Sequence, residues 1–248
     1  SFRLMTHSWY IGTLNFLKLA DMTTGIWILF YDIAAADRDH YVDWFHRCHI
    51  SEKLARPGYR WAAHFEAPPP SGSSDLYRYI GMFGGDSTKV FLDPSPVQLK
   101  LTQSNDTRAM MALRQNHSSA ILAHEWSWQA TTGDTNTRPA TGAADAAMNA
   151  PHIQILTVEA GGADEAVGGL CAQKLAPEFA VQKVAIACHK MTNVMSRPRH
   201  IMLFEVTDLS PAGDGSDQAG MSVDLSALTD LGNAVQMGTR HGRRIWPA

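Results

Sequence analysis

His46 and His49 lie three residues apart in the stretch DWFHRCHISEKLARPGY, residues 43–59. On a helix that spacing puts the two rings on neighbouring parts of one face. A neutral imidazole takes or gives a proton near pH 7 without help, which few other side chains do. His49 also falls where the helix should end. Capping free carbonyls and meeting the helix dipole are therefore an equally available role. The pair could begin a metal site, but no carboxylate or third histidine shares its spacing and Asp43 is one turn back. No metal is expected.

Beyond Pro57-Gly58, the segment YRWAAHFEA (59–67) reads as a strand. Strict alternation puts Arg60, Ala62, His64 and Glu66 on one face and Tyr59, Trp61, Ala63 and Phe65 on the other. The apolar set suits a layer under helices. The polar set is then expected to look into a cavity between sheets, unless its members pair with one another or line a wet rim. A second strand, residues 119–130, carries Leu122, His124, Trp126 and Trp128 on one face and Glu125 on the other. Its aromatic wall beside a histidine suits an aromatic ligand, although such residues are also common core. Tyr79 and Arg78 fall on opposite faces of a strand, so only one can reach a cavity. Gln154, His189, His200 and Glu205 are further polar candidates. The basic run RHGRR (240–244) reads as a solvated tail or a carboxylate binder. The chain has no GxSxG elbow, GxGxxG loop or P-loop, and Cys48 reads as a buried packing residue.

These residues need elements to hold them. GIWILFYDI (25–33) is a dense apolar run and reads as the first strand. AADRDHYVDWFHRCHI comes next, with Tyr41, Trp44, Phe45 and Cys48 in helical spacing. Strands are expected at 59–67 and 75–83, then a broken helical region, a helix over 104–115 capped by Ser104 or Asn105, and a fourth strand. The order β-α-β-β-α-β is the ferredoxin-like arrangement. A Thr, Gly and Ala-rich linker, 132–150, precedes a repeat of the pattern: strands at 152–160, 181–191 and 199–208, helices at 163–176 and 222–236, and GRRIWPA as a short last strand.

The predicted class is therefore α+β, with two tandem ferredoxin-like halves, 22–131 and 151–248, packing sheet to sheet as a barrel. Residues 1–21 read as an N-terminal extension, since Met22 directly precedes the first strand.

The stretch WFHRCHISEKLARPGYRWAAHFEA resembles the first helix and second strand of the dimeric α/β-barrel superfamily, most closely its EthD-like group. Trp44-Phe45 stands for that group's aromatic pair, His49-Ile50 for its His-Ile, Leu54 for its leucine, and Pro57-Gly58-Tyr59 for its turn. Cys48 replaces the glutamate before the histidine, and Ser51 the proline after it. The resemblance implies a barrel and, in several members, chemistry on small aromatic, polyketide-like or lactone substrates without a redox cofactor. Other branches bind haem or act as monooxygenases without a cofactor, so fold-level likeness constrains the reaction poorly.

Composition narrows the partners. A net charge of −3 over 248 residues gives no reason to expect nucleic acid or an anionic membrane. Three well-separated cysteines argue for a reducing, cytoplasmic setting rather than a disulfide framework. No apolar run is long enough to span a bilayer.

The expectation is an enzyme without cofactor, possible as a homodimer, doing acid/base chemistry (dehydration, decarboxylation, isomerisation or hydrolysis) on a small aromatic, polyketide-like or lactone substrate. His49 would be the acid or base, with His46, His64 and His124 as partners. Arg60 would hold a carboxylate or enolate, and Glu66, Tyr79, Trp126 and Trp128 would complete the binding wall. The rivals are a non-catalytic small-molecule binder and a haem-binding barrel.

Overall fold

The computed structural model describes residues 25–69, 72–73, 75–129, 150–159, 168, 185–206 and 236–247. The expected extension 1–21, nearly all of the linker, the helix at 163–176 apart from residue 168, the helix at 222–236 apart from Gln236, which begins the last strand, and Cys171 lie outside these residues.

The β-branched and aromatic runs form eight strands: β1 (Gly25–Ala34), β2 (Tyr59–Ala67), β3 (Leu76–Gly85), β4 (Gln115–Gln129), β5 (His152–Glu159), β6 (Ala185–Asn193), β7 (His200–Val206) and β8 (Gln236–Trp246). They close into one antiparallel barrel in the order β1-β3-β2-β8-β5-β7-β6-β4. Within it the ferredoxin-like order β4-β1-β3-β2 is joined to its equivalent β6-β7-β5-β8. The two sheets do more than pack face to face. They are connected by strand pairing at two seams, β2 with β8 and β4 with β6. Closure of this kind leaves no sheet edge. The last strand is longer than expected, and the basic run lies within it. Arg240 stacks on Phe30 at 4.0 Å and Arg244 on Phe65 at 4.9 Å, so RHGRR is no solvated tail.

After a 3-10 turn (Ala35–Asp37) come α1 (Arg38–Trp44), one π turn (Phe45–His49) and α2 (Ile50–Leu54). In the π turn Ile50 N–H reaches back five residues to the Phe45 carbonyl. The extra residue rotates the last turns of the helix relative to α1. The buried seam runs Tyr41, Phe45, Ile50, and Cys48, expected inside, is exposed. Gly58 turns the chain into β2 with φ of 81°, as the Pro57-Gly58 pair predicts. The broken helical region resolves into α3 (Lys89–Leu92), α4 (Pro96–Leu101) and α5 (Asn105–Ala112). Ser104 caps α5 by accepting from Thr107 N–H at 3.1 Å.

Two apolar layers flank the first sheet. Trp61, Ala63 and Phe65 join Ile28, Met82, Ile155 and Leu203 in a core shared by both halves, which is the barrel lumen. Trp27, Tyr31, Tyr41, Phe45, Tyr79 and Phe83 fill the layer under the helices. This reverses the expected facing of β2. A register shift between Tyr59 and Trp61 marks a bulge, and from there Trp61 points inward while His64 points to the helices. Trp61 finds its space over Gly84, where an added Cβ would lie 1.9 Å from the indole. The second glycine of GMFGGD thus makes room for a ring. At one end of the lumen Asp32, 2% exposed, takes Arg78 at 3.1 Å and Asn116 at 3.0 Å. Among the described residues no helix is long and apolar enough to cross a membrane.

Candidate functional site

The π turn places His46 over β2, and β2 presents His64 to the helices. His46 Nε2 lies 2.9 Å from His64 Nδ1, and His64 Nε2 lies 2.8 Å from the Tyr31 hydroxyl on β1. Tyr31 stands edge-on to Tyr41 with ring centroids 5.6 Å apart. Tyr41 in turn accepts a hydrogen bond from Arg114 Nε at 2.5 Å. The Arg114 guanidinium covers the Tyr31 ring at 4.3 Å. It has no carboxylate partner among the described residues, and its Nη2 is buried without a hydrogen bond. A chain of polar groups therefore runs from half-buried His46 to a cation inside an aromatic layer.

Burial controls the electrostatics of this chain. It holds His64 well below the ordinary histidine range, helped by His46 and Arg114. It lowers His46 too, against a smaller upward pull from Asp43. Both imidazoles are thus neutral at pH 7. Tyr31 is pushed well above the usual phenol value by burial and by Tyr41, and Arg114 opposes this. Tyr79 is pushed up to about 12, chiefly by burial, and its ring lies 4.9 Å from that of His64.

The remaining expected residues scatter. His49 is 2% exposed and packs among Trp44, Phe45 and Phe83 at centroid distances of 4.8, 5.3 and 6.3 Å. Its Nδ1 is buried without a partner, and burial with Arg114, Lys53 and Arg56 holds its pKa well below the ordinary range. Phe45 touches both His46 and His49, so the two histidines serve different surroundings. Arg60 sits in the bulge and pairs with Asp86 in solvent rather than in a cavity. Glu66, two residues past His64, bonds Arg38 and Arg243, each at 3.4 Å. His124 is in the lumen, bonded to Ser127 at 2.8 Å. A register shift between His124 and Trp126 breaks the expected alternation, and Trp126 pairs with Lys190 on the outer face. Trp128 stands opposite Cys188 in register.

Tyr31, Tyr41 and Arg114 escaped sequence reasoning. The two tyrosines looked like ordinary core, and Arg114 fell at the end of the helix expected over 104–115, without any motif; the helix stops at Ala112. A groove of about 490 Å³ opens beside Glu66, lined by Pro68, Tyr77, His152, His241 and Arg243 among others. Among the described residues no three His, Cys, Asp or Glu converge so as to hold a metal ion. Trp61 and Phe65 belong to the lumen core, and both ring nitrogens of His189 have partners, Ser127 and Glu205.

The architecture is that of an eight-stranded α+β barrel, and its similarities lie at that level. No family model matches the chain, and no curated protein matches it. A candidate monooxygenase from Fusobacterium nucleatum subsp. nucleatum aligns with a TM-score of 0.54 at 9% identity, covering 91% of this chain and 94% of that one. An anthrone oxidase-like protein aligns at 0.53 and 9% identity, covering 93% and 94%. A candidate chlorite dismutase aligns at 0.51 and 12% identity, covering 90% and 95%. These likenesses establish a shared fold.

Proposed function

We propose that the chain is an enzyme of small-molecule proton transfer, working without a redox cofactor in the helix–sheet layer of its first half. His46 and His64 are the proton-moving pair. The observation that carries this reading is the hydrogen-bonded run from half-buried His46 through His64 to Tyr31. Its geometry suits a relay. With protons on both Nε2 atoms, His46 Nδ1 is the accepting nitrogen. A proton arriving there lets the Nε2 proton pass toward His64 over 2.9 Å, while His64 donates to Tyr31 over 2.8 Å. Neutral imidazoles are the state such a base requires. Arg114 favours negative charge on Tyr31 and Tyr41.

The groups that line the groove support a substrate class. The groove beside Glu66 offers Tyr77 and Pro68 to an aromatic ring and Arg243 to a carboxylate or enolate, the role Arg60 cannot fill. A small aromatic, polyketide-like acid or lactone suits it, with dehydration, decarboxylation, isomerisation or hydrolysis as the reaction. The EthD-like resemblance of residues 44–59 supports this class. So do fold neighbours described as a candidate monooxygenase and an anthrone oxidase-like protein. His49 becomes a positioning residue that packs Trp44 and Phe45 around the pair.

The test is turnover in D2O of a panel of aromatic β-keto acids, hydroxy acids and lactones, monitored by NMR with oxygen uptake recorded in parallel. His46→Ala and His64→Gln are each expected to lower the rate by about 10²–10⁴-fold, and Arg60→Ala to leave it unchanged. Undiminished turnover in either histidine variant overturns the reading. Binding across the panel without turnover favours the non-catalytic binder instead.

A further inference from the structure

We infer that the barrel lumen holds a second reactive centre, in which Ser127, hydrogen-bonded between His124 and His189, accepts an acyl group from a small activated ester. It shares no residue with the relay on the other side of the sheet.

The bulge in β4 builds it. Register partners run His124↔Met191, Trp126↔Lys190 and Ser127↔His189, so residue 125 is the extra one. Glu125 turns outward to Lys190 Nζ at 3.2 Å. The inserted residue brings His124 and Ser127 to the same face, which an unbroken alternation would forbid. That face is the lumen, since Met191 belongs to the shared core and His189 is two residues away on β6. Glu205 is likewise two residues past the lumen residue Leu203 on β7. Three neighbouring strands thus supply four polar side chains across one seam.

The distances close a single circuit. Ser127 Oγ lies 2.8 Å from His124 Nε2 and 2.7 Å from His189 Nδ1, and His189 Nε2 lies 2.6 Å from Glu205 Oε1. A hydroxyl has one hydrogen, so it donates to one ring and accepts from the other. The Glu205 carboxylate only accepts, so the proton of neutral His189 lies on Nε2, and His189 Nδ1 accepts from Ser127. His124 Nε2–H then donates to the serine oxygen. His189 and Glu205 are 1% and 3% exposed, whereas Ser127 and His124 are only partly buried. His189 and Glu205 are thus inside, and the serine is partly exposed.

The step balances without any co-reactant except water. Ser127 Oγ bonds the acyl carbon while its proton passes to His189 Nδ1, and Glu205 stabilises the imidazolium that forms. His189 returns the proton to the leaving oxygen as the ester C–O bond breaks. Water then attacks the acyl-serine, giving one proton to His189, which restores it to Ser127 as the acid departs. Burial and His189 push the His124 pKa down to about 4, so that ring stays neutral beside the serine. Aryl esters, whose leaving oxygen needs least protonation, are the class it turns over most readily.

Exposure of the full chain to an alkyl fluorophosphonate, with p-nitrophenyl acetate as a chromogenic ester, tests this. One adduct is expected, mapping to the Ser127 peptide, with a burst of about one equivalent of p-nitrophenolate. Ser127→Ala should abolish both. His189→Gln should slow labelling by about 100-fold or more, and Ser119→Ala, an exposed serine of the same strand, should label as wild type. Unmodified Ser127 in the folded chain, or an unchanged labelling rate in His189→Gln, leaves the four residues a structural network and overturns the inference. Should Ser127→Ala or His189→Gln fail to fold by circular dichroism, the wild-type peptide map decides alone.

Discussion

Arg114 is 8% exposed, and where it lies it must be satisfied by π faces and one phenol rather than by a carboxylate. A buried guanidinium in that setting is costly in itself. What it changes is the titration of its neighbours. Its charge lowers His49 and His64, and it opposes the upward shift of Tyr31 and Tyr41. Arg114→Met keeps the length and removes the charge. The histidine pKa values should then move up toward 6.5, and those of the two tyrosines should also rise. Long-range ¹H–¹⁵N NMR of the imidazoles and ultraviolet titration of the phenols would read both. Unmoved histidines in a folded variant would show that burial alone sets them.

At the level of elements, Gly58 and Gly72 share a positive φ, 81° and 78°, but differ in surroundings. A Cβ on Gly58 would lie 2.5 Å from Val90 Cγ1, whereas nothing lies within 4 Å of one on Gly72. Gly72→Ala should therefore cost about 1–2 kcal/mol of backbone strain. Gly58→Ala should cost that plus about 1–3 kcal/mol of overpacking. Urea unfolding of the two variants checks the order, and equal losses would remove Val90 from the account. The same elements show why the fold was legible and the site only partly so. β1, β2 and β3 are dense apolar runs between clear turn signals, and Ser104 capped its helix as expected. The faces were not legible, because both sides of β2 carry large apolar residues and alternation cannot choose between two buried layers. Bulges at Arg60 and Glu125 then moved residues to the opposite side with no local sequence signal. The π turn did the same to Cys48. His46 and His64 were legible as candidates because histidine is chemically distinctive; their direct contact depended on a helix–strand register that only the fold supplies.

Across the whole molecule, the buried histidines tie stability to pH in one direction. His49 and His64 are held well below the usual value of about 6.5, His46 and His241 are lowered, and His124 falls to about 4. In every case burial is the leading cause. The unfolded chain binds protons at these sites below about pH 6.5, while the folded chain does not until the depressed values are reached. Stability is thus fully present above pH 6.5 and falls as the pH drops from there, by up to about 1.4 kcal/mol per pH unit for each group. For His124 alone the loss by pH 4 is on the order of 3 kcal/mol. Urea unfolding at pH 7.5 and 5.5 should show a free-energy loss of several kcal/mol on acidification. A His49→Leu, His64→Phe double variant removes two of the proton acceptors from both states. Its loss across the same interval should be smaller than that of the wild type by roughly 2 kcal/mol, whatever its absolute stability at pH 7.5. A double variant with an undiminished pH slope would mean that the two rings are protonated in the folded layer, which contradicts both their burial and the neutral relay assigned to His64.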